Sequence, residues 1–596
     1  MIAFAHLRRA LFAACLAGSS LGAAAVSAAA QDAPPVVAPP GLAPPEDPRE
    51  VGRRAQAQFE VFRRANLPRE ASGSGGKCQE EVGRFCYTYD ESTPHPPPEN
   101  AHIVAARDRL VRLLDSLAGA NPADNWLSGQ RVRYLNESGR HDVALRAAEE
   151  CRAYGWWCDA LKGFALHALG RYVEAETAYD RVLGRMSPAE RCEWRDLSLY
   201  LDQDTRRQYN RRACGTAARD SLEARIWFYA RTRYGMRGND SRTEHFARLT
   251  YAEFVRAAPS AFNFGFDHDE RELLLRFGWP RGWSRGPDIY VPMGATYDGP
   301  PFTVTGHDPT PAHRFIPPFH VLSTPTVSDS VDWAVQLPPV VARYQPPYAT
   351  TILMLEHQEA LFRRGDTALV VLAYDVSGIR ALAGAALDGA LVLAHGAGPT
   401  AYEHVAGDVP ARGTLTARAP WGPLLMSAEI AAVKQKTLVR ARYGIRPPFA
   451  PGRRVFLSDL LFYTPYGEFP TTVEEVLPHA LPTQRVRASA PLGVYWEAYN
   501  TDPTGEAMTI SLTVVPETEE VGLLRRGARS LGLARESAPV SITVNDRSAR
   551  GGTMSARAVQ LDISTLRRGE YLVQLEISVA GQYSIRTDRR IVVTGP

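Results

Sequence analysis

The sequence predicts a multidomain α + β protein: an N-terminal helical-repeat region followed by two antiparallel β-sandwiches. Three observations predict it. At 596 residues the chain is too long to fold around one core. From about residue 100 to 258 the apolar residues recur at helical spacing, and two related units in that stretch lie 31 residues apart, at Ala144 and Ala175. Beyond residue 350 the pattern changes to short strands separated by turns, with no helices between them.

Composition narrows the function. Hydrophobic content of 45% and charged content of 22% are those of an ordinary folded protein. A net charge of +3 argues against a dedicated nucleic-acid binder, which carries a clustered basic face. Lys77, Lys162, Lys434 and Lys436 are the only lysines, so the basic character rests on arginine.

Residues 1–30 read as a signal peptide. Arg8 and Arg9 precede the apolar ALFAACLAGSSLGAAAV, and Ala28-Ala29-Ala30 gives a small-residue cleavage pattern before Gln31. No later stretch supplies an apolar span long enough for a membrane helix, so the mature chain is expected to be periplasmic or secreted, without an integral span. Residues 31–76 read as a Pro/Gly-rich disordered tether: QDAPPVVAPPGLAPPEDP (31–48) has polyproline character, and EASGSGG (70–76) is a flexible spacer.

Residues 77–258 form the helical region. Six cysteines remain after the signal peptide, all before residue 215: Cys78, Cys86, Cys151, Cys158, Cys192 and Cys214. An even number in an exported chain points to disulfides, and short local loops favour the neighbour pairing 78–86, 151–158 and 192–214. The tight C-x2-C pairs of a zinc site are absent, so no metal and no cofactor is expected. In the second repeat unit Gly163 lies in the first helix, Tyr172 at the turn, and Ala175, Tyr179 and Val182 on one face of the second. Small residues there let the helices approach while the aromatic ring fills the gap. This unit resembles a tetratricopeptide repeat; the first unit is degenerate, with Val132 at the small-residue position. Ser241 and Glu244 have capping-box spacing, ahead of a buried stripe of Phe246, Leu249 and Phe254.

The stretch FGFDHDERELLLRFGWP (264–280) joins the two halves. Glu272–Phe277 is expected as a short buried strand, with Gly278 a permissive turn and Pro280 fixing the exit. Trp279 and Trp283 are expected to cover the helical–β junction. The cluster Asp267, His268, Asp269 and Glu270 offers carboxylates to a cation, but lacks the spacing of a calcium loop and reads as a solvated acidic turn. Gly265, Phe266, Asp267, His268 and Asp269 occupy the places of Gly-Trp-x-Thr-Asp, and Gly278, Trp279 and Pro280 follow at the position of an aromatic-Gly-x-Pro ending. This segment, within a Pro-rich connection over 259–349, resembles a GWxTD domain of exported bacterial proteins. It departs from that pattern at Phe266, His268 and Arg281, and the resemblance implies no enzymatic activity.

Two sandwiches of immunoglobulin-like build are expected at 350–470 and 485–596, the second as an independently folding unit. ALVVLAYDV (368–376) is a continuous apolar strand, whereas Tyr571–Val579 alternates with a period of two. GVYWEAYN, MTISLTVVP, VSITVND and RRIVVTG complete the series. There is no G-x-S-x-G elbow, no H-E-x-x-H helix and no Walker loop; His395-Gly396-Ala397-Gly398 is half a phosphate loop at most. The sequence therefore points to a non-enzymatic exported binding or scaffold protein, its repeats engaging a protein or peptide. The alternatives are an enzyme on envelope polymers using Asp267, Asp269 or Glu270, and a structural component of an envelope complex.

Overall fold

A computed structural model describes residues 46–69, 80–83, 85–87, 98–260, 266–280, 282–288, 302–307, 314, 316–335, 341–395, 401–448, 455–505, 507–517, 540–548, 553–579 and 584–595. The signal-peptide stretch, the proline run before residue 46, the 70–76 spacer, Gly265 and Cys78 lie outside the described residues.

The chain from Pro48 onward begins with helices. The helix α1 (Pro48–Ala65) occupies part of the expected tether. Pro48 takes a first-turn position, where proline is tolerated. The helix was hidden because its buried face is largely polar, formed by Gln56, Glu60 and Arg63 beside Phe59. After a small hairpin, β1 (Glu80–Val82) and β2 (Phe85–Tyr87), come α2 (Ala101–Ala120), α3 (Asn125–Glu137), α4 (His141–Glu150), α5 (Trp157–Ala168) and α6 (Tyr172–Arg185). The helices α3/α4 and α5/α6 are the two related hairpins. At Gly163 the ring of Tyr179 lies so close that an added Cβ would stand 2.7 Å from it, so the close approach read from the sequence is present. Then follow α7 (Pro188–Trp194), α8 (Gln203–Asn210), α9 (Ala217–Ala230) and α10 (Asp240–Arg256). Asn239, not Ser241, caps α10, accepting from the Arg242 amide at 3.0 Å. Ser241 is buried and donates to the Ala230 carbonyl, while Glu244 turns to His167 and Arg248.

The expected strand at Glu272–Phe277 is a helix, α11 (His268–Phe277). Asp267 caps it, accepting from the amides of Asp269 and Glu270, and Glu272 pairs with Arg276 one turn on. Gly278, at φ 87°, ends it in a conformation that disfavours a side chain. The short apolar run LLLRF was ambiguous between strand and helix; the cap decided it.

The remaining elements are β3 (Gly282–Asp288) paired with β4 (Phe302–His307), α12 (Phe319–Ser323), and then the β region. Its strands are β5 (Thr351–Met354), β6 (His357–Arg364), β7 (Thr367–Asp375), β8 (Leu387–His395), β9 (Ala401–Val409), β10 (Arg412–Pro420), β11 (Leu424–Ala432) and β12 (Thr437–Ile445). After them come β13 (Phe456–Leu457), β14 (Leu461–Tyr463), α13 (Val473–Val476), β15 (Arg485–Arg487), β16 (Leu492–Tyr499), β17 (Ala507–Pro516), β18 (Val540–Arg547), β19 (Met554–Leu561), β20 (Gly569–Val579) and β21 (Ile585–Thr594). They build four sheets: β5-β12-β11-β8-β9; β10-β7-β6; β13, β14 and β19 around β16; and β15-β21-β20-β17-β18. Pairing is antiparallel except for β5 with β12 and β15 with β21.

The sheets stack face to face in that order. Leu391, Met426 and Ile430 of the first pack against Val370, Leu372 and Tyr374 of the second. The opposite face of the second, Phe362 and Val371, meets Tyr463 and Tyr495 of the third. Val494 and Trp496 of the third face Leu512, Val573 and Leu575 of the fourth. Ala390, Val392 and Leu425, on the free face of the first sheet, pack against Tyr229 and Tyr234 of the helical region. This order explains two sequence patterns. Strands β11 and β16 are buried at every residue because their sheets are covered on both faces. Strands β20 and β21 alternate because the fourth sheet has one face in solvent.

Buried carboxylates mark two of the seams. Glu429 on β11 accepts from the Tyr234 and Gly235 amides at 2.7 and 3.1 Å and from Arg442 at 3.2 Å; these donors keep its carboxyl below the usual range although burial opposes them. Glu497 on β16 takes a two-pronged contact from Arg364 at 2.6 and 2.9 Å, and the hydroxyls of Tyr495 and Tyr499.

Candidate functional site

Among the described residues two disulfides are present, Cys151–Cys158 and Cys192–Cys214, in the neighbour pairing the spacing favoured. The first joins the end of α4 to the start of α5. The second ties α7 to the loop entering α9. The expected Cys78–Cys86 bond lies outside the described residues.

The described part of the motif, residues 266–280, is tied to its neighbours through arginines. Arg248 of α10 donates to the Leu275 and Arg276 carbonyls at 2.7 and 3.1 Å, capping the C-terminal end of α11, and to the Arg343 carbonyl at 2.7 Å. Its remaining nitrogen reaches Glu244 at 2.6 Å. Arg276 donates to Glu80 at 2.6 Å and to the Val341 carbonyl at 2.7 Å. Of the acidic cluster, Asp267 serves the helix cap, His268 points to solvent, and the Asp269 carboxylate lies against Gly83. Among the described residues no group of three metal-ligating side chains converges.

Two cavities lie in the helical region. One, of about 670 Å³, is a groove between α6, α7, α9 and α10. Along one wall Arg242 bridges Asp180 at 2.6 Å and Glu176 at 3.5 Å. Along the other, Arg195 bridges Asp220 and Glu223, the latter at 2.6 Å. Each wall therefore sets two carboxylates around one guanidinium. Arg191 and Arg231 also line the groove, held by the carbonyls of Leu183 and Met186 and of Tyr234 and Met236. Trp227, Phe228 and Phe246 provide apolar lining. His245 stays a neutral imidazole, since burial lowers its pKa to about 4. The Cys192–Cys214 bond braces the α7–α9 wall.

The second cavity, of about 600 Å³, opens beside Trp279 and Trp283, between α3, α5, α10 and the junction. The Trp279 ring lies 4.9 Å from Tyr251 and 6.0 Å from Trp283. Glu137, bonded by Arg63 at 2.7 Å and by Tyr251 at 2.8 Å, is the inner carboxylate. Burial would raise its pKa, but Arg63 and Arg133 outweigh that and hold it at about 2. Glu244 is likewise held low by Arg248 and His167 against the effect of burial. The sequence singled out both tryptophans as junction cover, but not Glu137 or His167, and it assigned Glu244 to a helix cap. Those residues converge from three separate helices, and no local spacing announces them.

No family model and no curated protein matches the chain. Among solved structures, a red sea bream transglutaminase is similar at 12% identity over 40% of this chain and 31% of its own, with a TM-score of 0.14. A Bacteroides uniformis β-glucuronidase is similar at 8% identity over 38% of this chain and 26% of its own, with a TM-score of 0.16. The chain thus spans about a third or less of either protein, and both similarities are too slight to assign a fold or a function.

Proposed function

We propose that this is an exported binding or scaffold protein whose helical region engages a peptide or protein segment in the groove between α6, α7, α9 and α10. The observation that carries the reading is the charge arrangement of that groove: a carboxylate–guanidinium–carboxylate set on each wall over an aromatic lining. An extended segment bearing charges of both signs and an apolar side chain matches such a surface, where four carboxylates alternate with four guanidinium groups, whereas a ligand of one sign of charge, such as nucleic acid, would match only half of them. The two helical hairpins with their Gly163–Tyr179 approach support a tetratricopeptide-like build; the GWxTD resemblance rests on the sequence motif alone, since a helix stands where that pattern has a strand. Stacked sheets with sandwich-type cores support immunoglobulin-like modules acting as spacer or adhesive surface. Disulfides persist in oxidising compartments, which supports export to the periplasm or beyond. Among the described residues no helix is long and apolar enough to cross a membrane.

A peptide array probed with the mature chain tests this. Mixed-charge peptides with an aromatic or branched apolar residue are expected to be retained, and Arg242→Glu, which makes one wall wholly acidic, to weaken them at least tenfold. Retention of no peptide, or retention indifferent to Arg242→Glu, would overturn the proposal.

A further inference from the structure

The helical region meets the first sheet over a small cavity of about 30 Å³, between the end of α9, the residues at Arg314 and Trp333, and strands β5 and β12. Arg440 of β12 enters it without an acidic partner. It donates to the Thr232 carbonyl at 3.0 Å and to the Trp333 carbonyl at 3.1 Å, and among the described residues no carboxylate bonds it. Arg442, two residues along the same strand, donates to the same Thr232 carbonyl at 3.2 Å, so two positive charges share one oxygen. The acids of this seam are committed elsewhere. Glu429 bonds Arg442 at 3.2 Å and the amides of Tyr234 and Gly235. Asp388 bonds Arg233 at 2.7 Å. Asp332, the acid of the cavity lining, bonds His320 and the Asp329 amide, each at 2.9 Å. Burial, then the neighbouring Arg442, push the pKa of Arg440 down to about 9, against the opposing pull of Glu429.

A sheltered cation of this kind is stabilised by a negative charge of its own. A guanidinium carries five N–H donors, and the two carbonyls leave Arg440 with donors to spare. The size of the cavity names the class of anion. About 30 Å³ matches the volume share of one water molecule and is a tenth or less of an organic-ligand site, which spans about 300–1,000 Å³. A phosphate ester or an organic acid does not fit. Ile316, Pro317 and Ile352 line the remainder and exclude water, which strengthens the attraction of a guanidinium for an anion. Arg314 and Asp332, with side chains 24% and 23% exposed, stand where the lining reaches solvent and leave an ion a way in. We propose that this cavity binds a single halide ion, chloride, on Arg440, clamping the helical region to the first sheet. This inference stands apart from the peptide groove and does not rest on it.

Melting of the mature chain in sodium gluconate, with chloride exchanged in at constant ionic strength, tests it. Chloride is expected to raise the melting temperature saturably, by about 3 °C at a hundred times its dissociation constant. Bromide is expected to substitute for it, and acetate is not. The chlorine magnetic resonance line is expected to broaden in the presence of the mature chain. Arg440→Gln is expected to abolish both the chloride-dependent rise and the broadening. Should Arg440→Gln fail to fold, Arg440→Lys, which keeps the charge but loses the planar fork, reads the same contact through a chloride midpoint raised about fivefold or more. The proposal is overturned if melting is the same in gluconate and chloride, if the chloride effect is unchanged by these substitutions, or if acetate stabilises as well as chloride does.

Discussion

The guanidinium of Arg248 holds three backbone carbonyls and one carboxylate, joining α10, α11 and the segment at Arg343. Removing it would leave the half-buried Glu244 beside His167 alone and strip the end of α11 of its donors. Arg248→Ala is therefore expected to destabilise by about 3–5 kcal/mol, the range for breaking a buried pair. Asp267→Ala removes a helix cap and should cost about 0.5–2 kcal/mol. Trp279→Ala should fall below the ~3–5 kcal/mol of a fully buried aromatic, because this ring borders a cavity. Urea melts of the three variants give the ordering, and an Asp267 effect larger than that of Arg248 would contradict it. A second residue sets a pH dependence. Asp459, between β13 and β14, accepts from the Leu361 amide at 2.9 Å. Burial raises its pKa to about 6, aided by nearby Glu359 and opposed by Arg589. Its folded pKa exceeds the unfolded value of about 3.9, so its contribution is fully present below about pH 4 and is lost as pH rises through about 6. That loss is on the order of 2–3 kcal/mol. Asp459→Asn should flatten the curve and be the more stable protein above pH 6; a parallel pH profile for the two proteins would count against this.

Elements were legible where burial follows one period. Strand β20 was read residue by residue because one face is wet, and β7 was read as a continuous apolar run because both faces are covered. Helices were harder where polar groups carry the burial. The inward face of α1 is Gln56, Glu60 and Arg63, a pattern that reads as solvent-exposed until Tyr134 and Glu137 of α3 are placed against it. In α11 the apolar LLL suits a strand as well as a helix, and the signal that decides between them is the capping Asp267 inside the same motif. The groove and the cavity were not legible, since each gathers residues from several helices whose relation is set by tertiary packing. The disulfides were legible by spacing alone. In the chain-entropy account Cys192–Cys214, with a separation of 22, contributes about 3.4 kcal/mol, and Cys151–Cys158, with a separation of 7, about 2.4 kcal/mol. Replacing each pair by serine should lower the melting temperature in that order, and peptide mapping of the unreduced chain should recover both bonds; free thiols at these four positions would refute the pairing.

From Pro48 onward the molecule is one unit in which the helical region abuts the first of four stacked sheets. This changes what a fragment is expected to do. Strands β13 and β14 pair with β16, so residues 485–596 alone would lose two partners of the third sheet and uncover Tyr495. A fragment starting at residue 455 should unfold cooperatively as an all-β protein, and one starting at 485 should be markedly less stable or aggregate; equal stability would show that the β13–β14 pairing adds little. Hydrogen–deuterium exchange of the mature chain, with and without a saturating peptide selected on the array, tests the central claim most directly. Protection concentrated in α6, α7, α9 and α10 is the predicted result. Protection confined to the β sheets, or none in those four helices, would contradict it.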